Sequence, residues 1–154
     1  MISHRNLVLL AGAGSAGLLI GAWIFQFGLG LNPCPMCLWQ RYPHGVAVVI
    51  SLIALLLGQR IFPLLGAAVM AVSTGLGLYH TGVERGWWEG PNTCTGADIG
   101  SLSADALFDQ LMTAPIIRCD EVTWSMLGLS MSSWNAVISA GLMGVWIILF
   151  LRKA

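Results

Sequence analysis

The sequence predicts an all-α membrane protein built as a four-transmembrane-helix bundle, and three observations predict it. Four apolar stretches with few or no charges, at about 7–27, 42–57, 62–79 and 133–151, are long enough to cross a hydrocarbon layer. The composition is 56% hydrophobic and 9% charged, with a mean hydropathy of +0.79, which belongs to a bilayer protein rather than a soluble globule. All seven acidic residues, from Glu84 to Glu121, fall in one segment, which must stand in water. At 154 residues the chain is a single domain's worth. Its formal net charge of zero leaves no basic field of the kind that holds nucleic acid.

The first run follows Arg5-Asn6 and is of spanning length, so it reads as a retained helix rather than a leader. The residues after it, Gln26-Phe27-Gly28-Leu29-Gly30, make a poor small-residue cleavage site. In hydrocarbon each span must be helical, because only a helix satisfies its own backbone there. Gly17 and Gly21 in the first span and Gly75 and Gly77 in the third are places where helices can approach closely, although glycine is common in spanning helices for no such reason. If the spans alternate, Arg5, Arg60, Arg152 and Lys153 share one side, and Arg41, Arg85 and Arg118 the other. The first side has only short tails and the Gly58-Gln59-Arg60 turn, so its positive density is higher. That makes it cytoplasmic, with both termini inside and loops at about 28–41 and 81–132 outside. In the second loop, residues 101–112 place apolar side chains at 104, 107, 108, 111 and 112, the face of a short amphipathic helix capped by Ser103 and ended by Pro115. Such a helix lies on the membrane surface or packs on the bundle top.

All four cysteines, Cys34, Cys37, Cys94 and Cys119, are expected on the outer side, none within a span. An even count in a compartment where disulfides persist, the periplasm of a bacterium, favours two bridges. A Cys94–Cys119 bridge would close a loop of about 25 residues, worth roughly 3 to 4 kcal/mol in the chain-entropy model, and by itself would be a staple. A Cys-x-x-Cys bridge constrains almost nothing; its usual worth is redox. Arg41, the first charge after Arg5, lies four residues beyond Cys37 and near enough to favour a thiolate. Pro43 suggests that the regular helix begins near Arg41 and leaves Cys37 in the loop. Two sulfur pairs on one face permit a relay through mixed disulfides, and at a bilayer surface the lipid-soluble oxidant available to end it is a quinone.

The run Asn32-Pro33-Cys34-Pro35-Met36-Cys37 with Gln40-Arg41, the later Cys94, and Arg118-Cys119-Asp120-Glu121 leading to Trp124, Leu127-Gly128 and Trp134-Asn135 resembles the DsbB disulfide bond formation proteins over nearly the whole chain. The resemblance implies a four-helix inner-membrane protein-dithiol:quinone oxidoreductase. Such an enzyme reoxidises a DsbA-like periplasmic thioredoxin-fold protein and passes electrons to ubiquinone or menaquinone. Carried over by position, Cys94 takes the mixed disulfide with the partner, and Cys119 is its mate and links transiently to Cys34. Cys37 meets the quinone as a thiolate, with Arg41 stabilising the charge. His80 and Glu84 sit at the outer end of the third span, where a polar group can bond a quinone carbonyl; a histidine satisfied by a helix C-terminus is the alternative. His44 reads as a packed polar residue within the second span. No metal site is expected, since a zinc site would need the four thiols to converge in an oxidising compartment. A non-enzymatic membrane scaffold with two structural bridges is the competing class. The vitamin K epoxide reductase type, another thiol-quinone bundle, carries its Cys-x-x-Cys near the end of a late span, whereas here it precedes the second.

Overall fold

The computed structural model describes residues 3–91, 94, 103–105, 108, 112 and 117–152. Among them are four helices long and apolar enough to cross a membrane. Helix α1 (His4–Trp23) starts at Ser3, whose Oγ accepts the Asn6 N–H at 3.2 Å, and runs on into a π-helical turn, Ile24–Gly28. Helix α2 (Pro35–Leu57) ends at Gly58, whose left-handed φ of 62° a glycine adopts freely. Helix α3 (Ile61–Glu84) follows after a short turn, and α4 (Met131–Leu151) closes the bundle behind a two-stranded hairpin, β1 (Ser125–Met126) and β2 (Leu129–Ser130). Between the strands Leu127 and Gly128 both have positive φ, 53° and 77°, as a tight hairpin turn requires.

Two boundaries differ from the sequence expectation. The second span starts at Pro35 rather than near 42, so Cys37 and Arg41 are helical and Cys37 is not in a loop. The cause is local: Cys34 caps the helix, its sulfur accepting the Cys37 N–H at 3.2 Å, and Pro35 takes the first helical position, where it has no N–H to lose. Pro43 is carried inside the helix, as neighbouring helices allow in a bundle. The third span runs to Glu84 rather than 79, so His80 is helical as well. Of the amphipathic stretch 101–112, Ala104, Asp105, Phe108 and Met112 are helical, with Phe108 and Met112 exposed; its remainder, apart from Ser103, lies outside the described residues.

The core of the bundle is built from Val8, Ala11, Ala47, Met70, Trp146 and their neighbours. Only 28–33% of each span's most apolar window is buried inside the protein, so the rest of that apolar surface calls for hydrocarbon around it. Helices α3 and α4 pack most extensively, and two glycines allow it. A Cβ at Gly77 would lie 2.9 Å from the Ala136 backbone nitrogen, and one at Gly66 would lie 2.4 Å from the Trp146 ring. Gly17, Gly21 and Gly75 face open space, so of the four glycines singled out in the sequence only Gly77 is a contact. Serines join the helices in the apolar interior, as at Ser73 Oγ and Ser139 Oγ, 3.0 Å apart.

Candidate redox site

The N-terminal turn of α2 sets Cys34 and Cys37 on successive sides of one helix end, with their sulfurs 2.8 Å apart. Cys34 is 4% exposed and Cys37 half-buried. The hydrogen bond from Cys37 is the largest influence on Cys34; His80, whose Nε2 lies 3.6 Å from the Cys34 sulfur, adds to it against the opposing effect of burial. Together they pull the Cys34 thiol down to about 5, so the surroundings of the two sulfurs differ and favour the thiolate at Cys34, the inner one.

Cys94 and Cys119 form a disulfide and are each 1% exposed. They pack with Cys34, Met36 and Val83 in one buried cluster, so both sulfur pairs occupy the same end of the bundle. His80, 2% exposed, joins them: its Nδ1 accepts from Gln40 Nε2 at 2.8 Å, and its Nε2 donates to the Cys119 carbonyl at 3.1 Å beside the Cys34 sulfur. One turn on, Glu84 Oε1 lies 3.9 Å from His80 Nε2, while its other oxygen accepts from the hydroxyls of Ser130 and, at 2.5 Å, Ser132. These contacts tie α3 to the start of α4. Beside Cys119, Arg118 and Asp120 form a two-pronged ion pair at 2.9 and 2.5 Å.

On the far side of Cys37 a cleft of about 410 Å³ opens between α1, α2 and α4. Its walls are apolar along the spans, where Gly17, Gly21 and Phe25 line it, and polar at the cysteine end, where Gln40, Arg41, His44 and Asn135 converge with Cys37. Volume and lining fit a largely apolar ligand oriented by a few polar groups. The π-helical turn of α1 presents Gln26 to Arg41, whose Nη1 donates to Gln26 Oε1 at 2.6 Å. A π turn re-aims side chains in this way where regular helix would not. Trp124 packs edge-on against Phe25 with ring centroids 5.0 Å apart, and the Trp134 ring N–H donates to the Met126 carbonyl at 3.0 Å, anchoring the hairpin over the cleft.

Of the residues the sequence singled out, the structure brings Cys34, Cys37, Cys94, Cys119 and His80 into one cluster. Arg41 lies on the cleft wall with Cys37, its guanidinium paired to Gln26. His44 is packed, as expected, on Asn135, Ser73 and Ser139. Gln40, Asn135 and Gln26 join the site beyond the sequence expectation, Gln40 and Asn135 coming from the motif runs themselves. A lone amide in or beside an apolar span was their signal. Cys34, Cys37 and His80 offer three donor atoms within 4.8 Å of one another, but Cys94 and Cys119 are spent on each other, so the four-thiol zinc arrangement is not formed.

A buried dithiol packed against a buried disulfide, at one end of a membrane-spanning bundle, is the site of a membrane thiol-disulfide oxidoreductase. Comparison with known proteins narrows the class. The family model described as Disulfide bond formation protein DsbB matches residues 4–149. Proteins named Disulfide bond formation protein B match as well. One from Saccharophagus degradans is 33% identical over 99% of this chain and 96% of its own length. One from Xanthomonas oryzae pv. oryzae is 32% identical over 91% and 86%, and one from Marinobacter nauticus is 30% identical over 90% and 86%. No solved structure matches the chain. The chain belongs to the DsbB family: it is a multi-pass inner-membrane protein of disulfide bond formation.

Proposed function

We propose that the protein reoxidises a DsbA-like periplasmic dithiol and delivers the electrons to a membrane quinone, with the cysteine end of the bundle facing the periplasm and both termini in the cytoplasm. The supporting observation is the order of the parts. The Cys94–Cys119 disulfide, the Cys34 sulfur beside His80, Cys37 and the cleft follow one another across the end of the bundle. A thiolate of the partner attacks Cys94, breaking the Cys94–Cys119 bond and releasing Cys119 as a thiolate. The partner's second thiol then closes its own disulfide and frees Cys94. The Cys119 thiolate attacks Cys34 of an oxidised Cys34–Cys37 pair, expelling Cys37 as a thiolate into the cleft. Attack by Cys94 on Cys119 restores the outer disulfide and leaves Cys34 and Cys37 reduced. The hydrogen bond from Cys37 and the His80 ring stabilise the charge on Cys34, making it a good leaving sulfur in that last exchange.

The cleft suits a quinone on structural grounds: an apolar channel of sufficient volume with the Arg41 guanidinium and a polar wall at the sulfur end. Arg41, with Gln40 and Asn135 in the wall around it, would hold the head group beside Cys37. When bound there, ubiquinone or menaquinone supplies the acceptor for two electrons and two protons. His80 does not line this cleft. In this reading it serves the two sulfur pairs, bonding the Cys119 carbonyl beside the Cys34 sulfur.

The test mixes purified protein with a reduced thioredoxin-fold dithiol and a short-chain quinone and follows quinone absorbance. Turnover that stops in Cys34→Ser and in Cys37→Ser is expected. Full turnover by either variant refutes the relay.

A further inference from the structure

We infer that His44 is a binding residue for the occupant of the cleft, and that its ring is locked in the tautomer that accepts a hydroxyl, so it favours a hydroquinone over the corresponding quinone. The inference deepens the quinone reading above and rests on it. It begins at a backbone carbonyl. The Met36 carbonyl can only accept, so the amide nitrogen of Gln40, 3.2 Å away, must face it; the same nitrogen donates to His80 Nδ1. The Gln40 oxygen is thereby turned to Asn135, whose Nδ2 donates to it at 2.8 Å. The Asn135 oxygen then faces His44, and at 2.8 Å it can only accept the ring's Nε2–H. A neutral imidazole carrying its proton on Nε2 has a bare lone pair on Nδ1. That atom is buried without a partner, in a residue that is 2% exposed and forms part of the cleft wall.

A lone pair cannot bond a quinone carbonyl, which also only accepts; it can take the O–H of a hydroquinone. In the proposed exchange the reduced pair, Cys34 as thiolate and Cys37 as thiol, loses one S–H bond and gains one S–S bond; two electrons and that proton pass to the quinone, and water supplies the second proton, so both quinone oxygens become hydroxyls. One of the two new hydroxyls is then the donor that His44 Nδ1 lacks. Tighter binding of the reduced form draws the electron transfer forward, and the amide chain from Met36 to Asn135 keeps the ring in the state that does so.

The test measures dissociation constants for a short-chain ubiquinone and for its hydroquinone in the full-length chain carrying Cys34→Ser and Cys37→Ser, where no electrons exchange. His44→Leu is expected to weaken hydroquinone binding roughly tenfold while leaving quinone binding within about twofold. Asn135→Leu keeps the ring but releases its tautomer, and lowers the same preference, so the proposal is tested even if His44→Leu fails to fold. Equal losses for both ligands, or no change in their ratio in either variant, overturn the assignment of His44 and leave the quinone reading standing. Failure of the unsubstituted His44 protein to bind either ligand removes both.

Discussion

Cys34 and Cys37 share one helix turn yet differ in surroundings, and that difference decides which sulfur holds charge. Cys34 is lowered to about 5 by the hydrogen bond from Cys37 and by His80, so its thiolate should persist at neutral pH and disappear as pH falls through about 5. Ultraviolet thiolate absorbance of the reduced pair, with Cys94–Cys119 left oxidised, reads this directly. Cys34→Ala removes the low-pH band, and Cys37→Ala moves its midpoint upward by deleting the larger influence. A band that survives Cys34→Ala places the charge on Cys37. The sequence pointed to the pair and to Arg41 through a motif and a solitary cation. It did not reveal that Arg41 is held by Gln26 or that Asn135 orients Gln40, because those partners are 15 and 95 residues away and meet only when the helices pack.

At the scale of the helix, the spans were legible because twenty-residue apolar runs have one way to satisfy their backbone in lipid. The start of α2 was not, because Pro43 argued for a late start while the capping sulfur of Cys34, which rescues an early one, is an unusual N-cap. The tight α3–α4 contact depends on Gly77. Gly77→Val should cost about 1–3 kcal/mol through overpacking against the Ala136 backbone, read as a lowered thermal midpoint in detergent, whereas Gly75→Ala, with nothing within 4 Å, should leave that midpoint unchanged or higher. Gly17 separates stability from ligand binding. Its position lines the cleft and faces open space, so Gly17→Leu should fold normally and weaken quinone binding. A Gly17→Leu protein with unaltered quinone affinity would place the ligand elsewhere.

Taken as a whole, the molecule gathers its chemistry at one end of the bundle. If that end is periplasmic, a fluorescent protein that matures only in the cytoplasm will light up when fused to the C-terminus, and alkaline phosphatase inserted within residues 95–116 will be active; the reverse pattern would exclude the proposed partner. The staple reading makes the opposite redox prediction to the relay, namely that Cys94–Cys119 survives a mild dithiol that the relay would exchange with rapidly. The cleft also lies where α1 meets α4, the sparsest contact among the four neighbouring helix pairs, and its apolar walls run along the spans. An occupant would therefore arrive sideways out of the acyl chains rather than through an aqueous port. Saturation would follow its mole fraction in the lipid, so diluting proteoliposomes with buffer should leave the rate unchanged and diluting them with extra phospholipid should lower it.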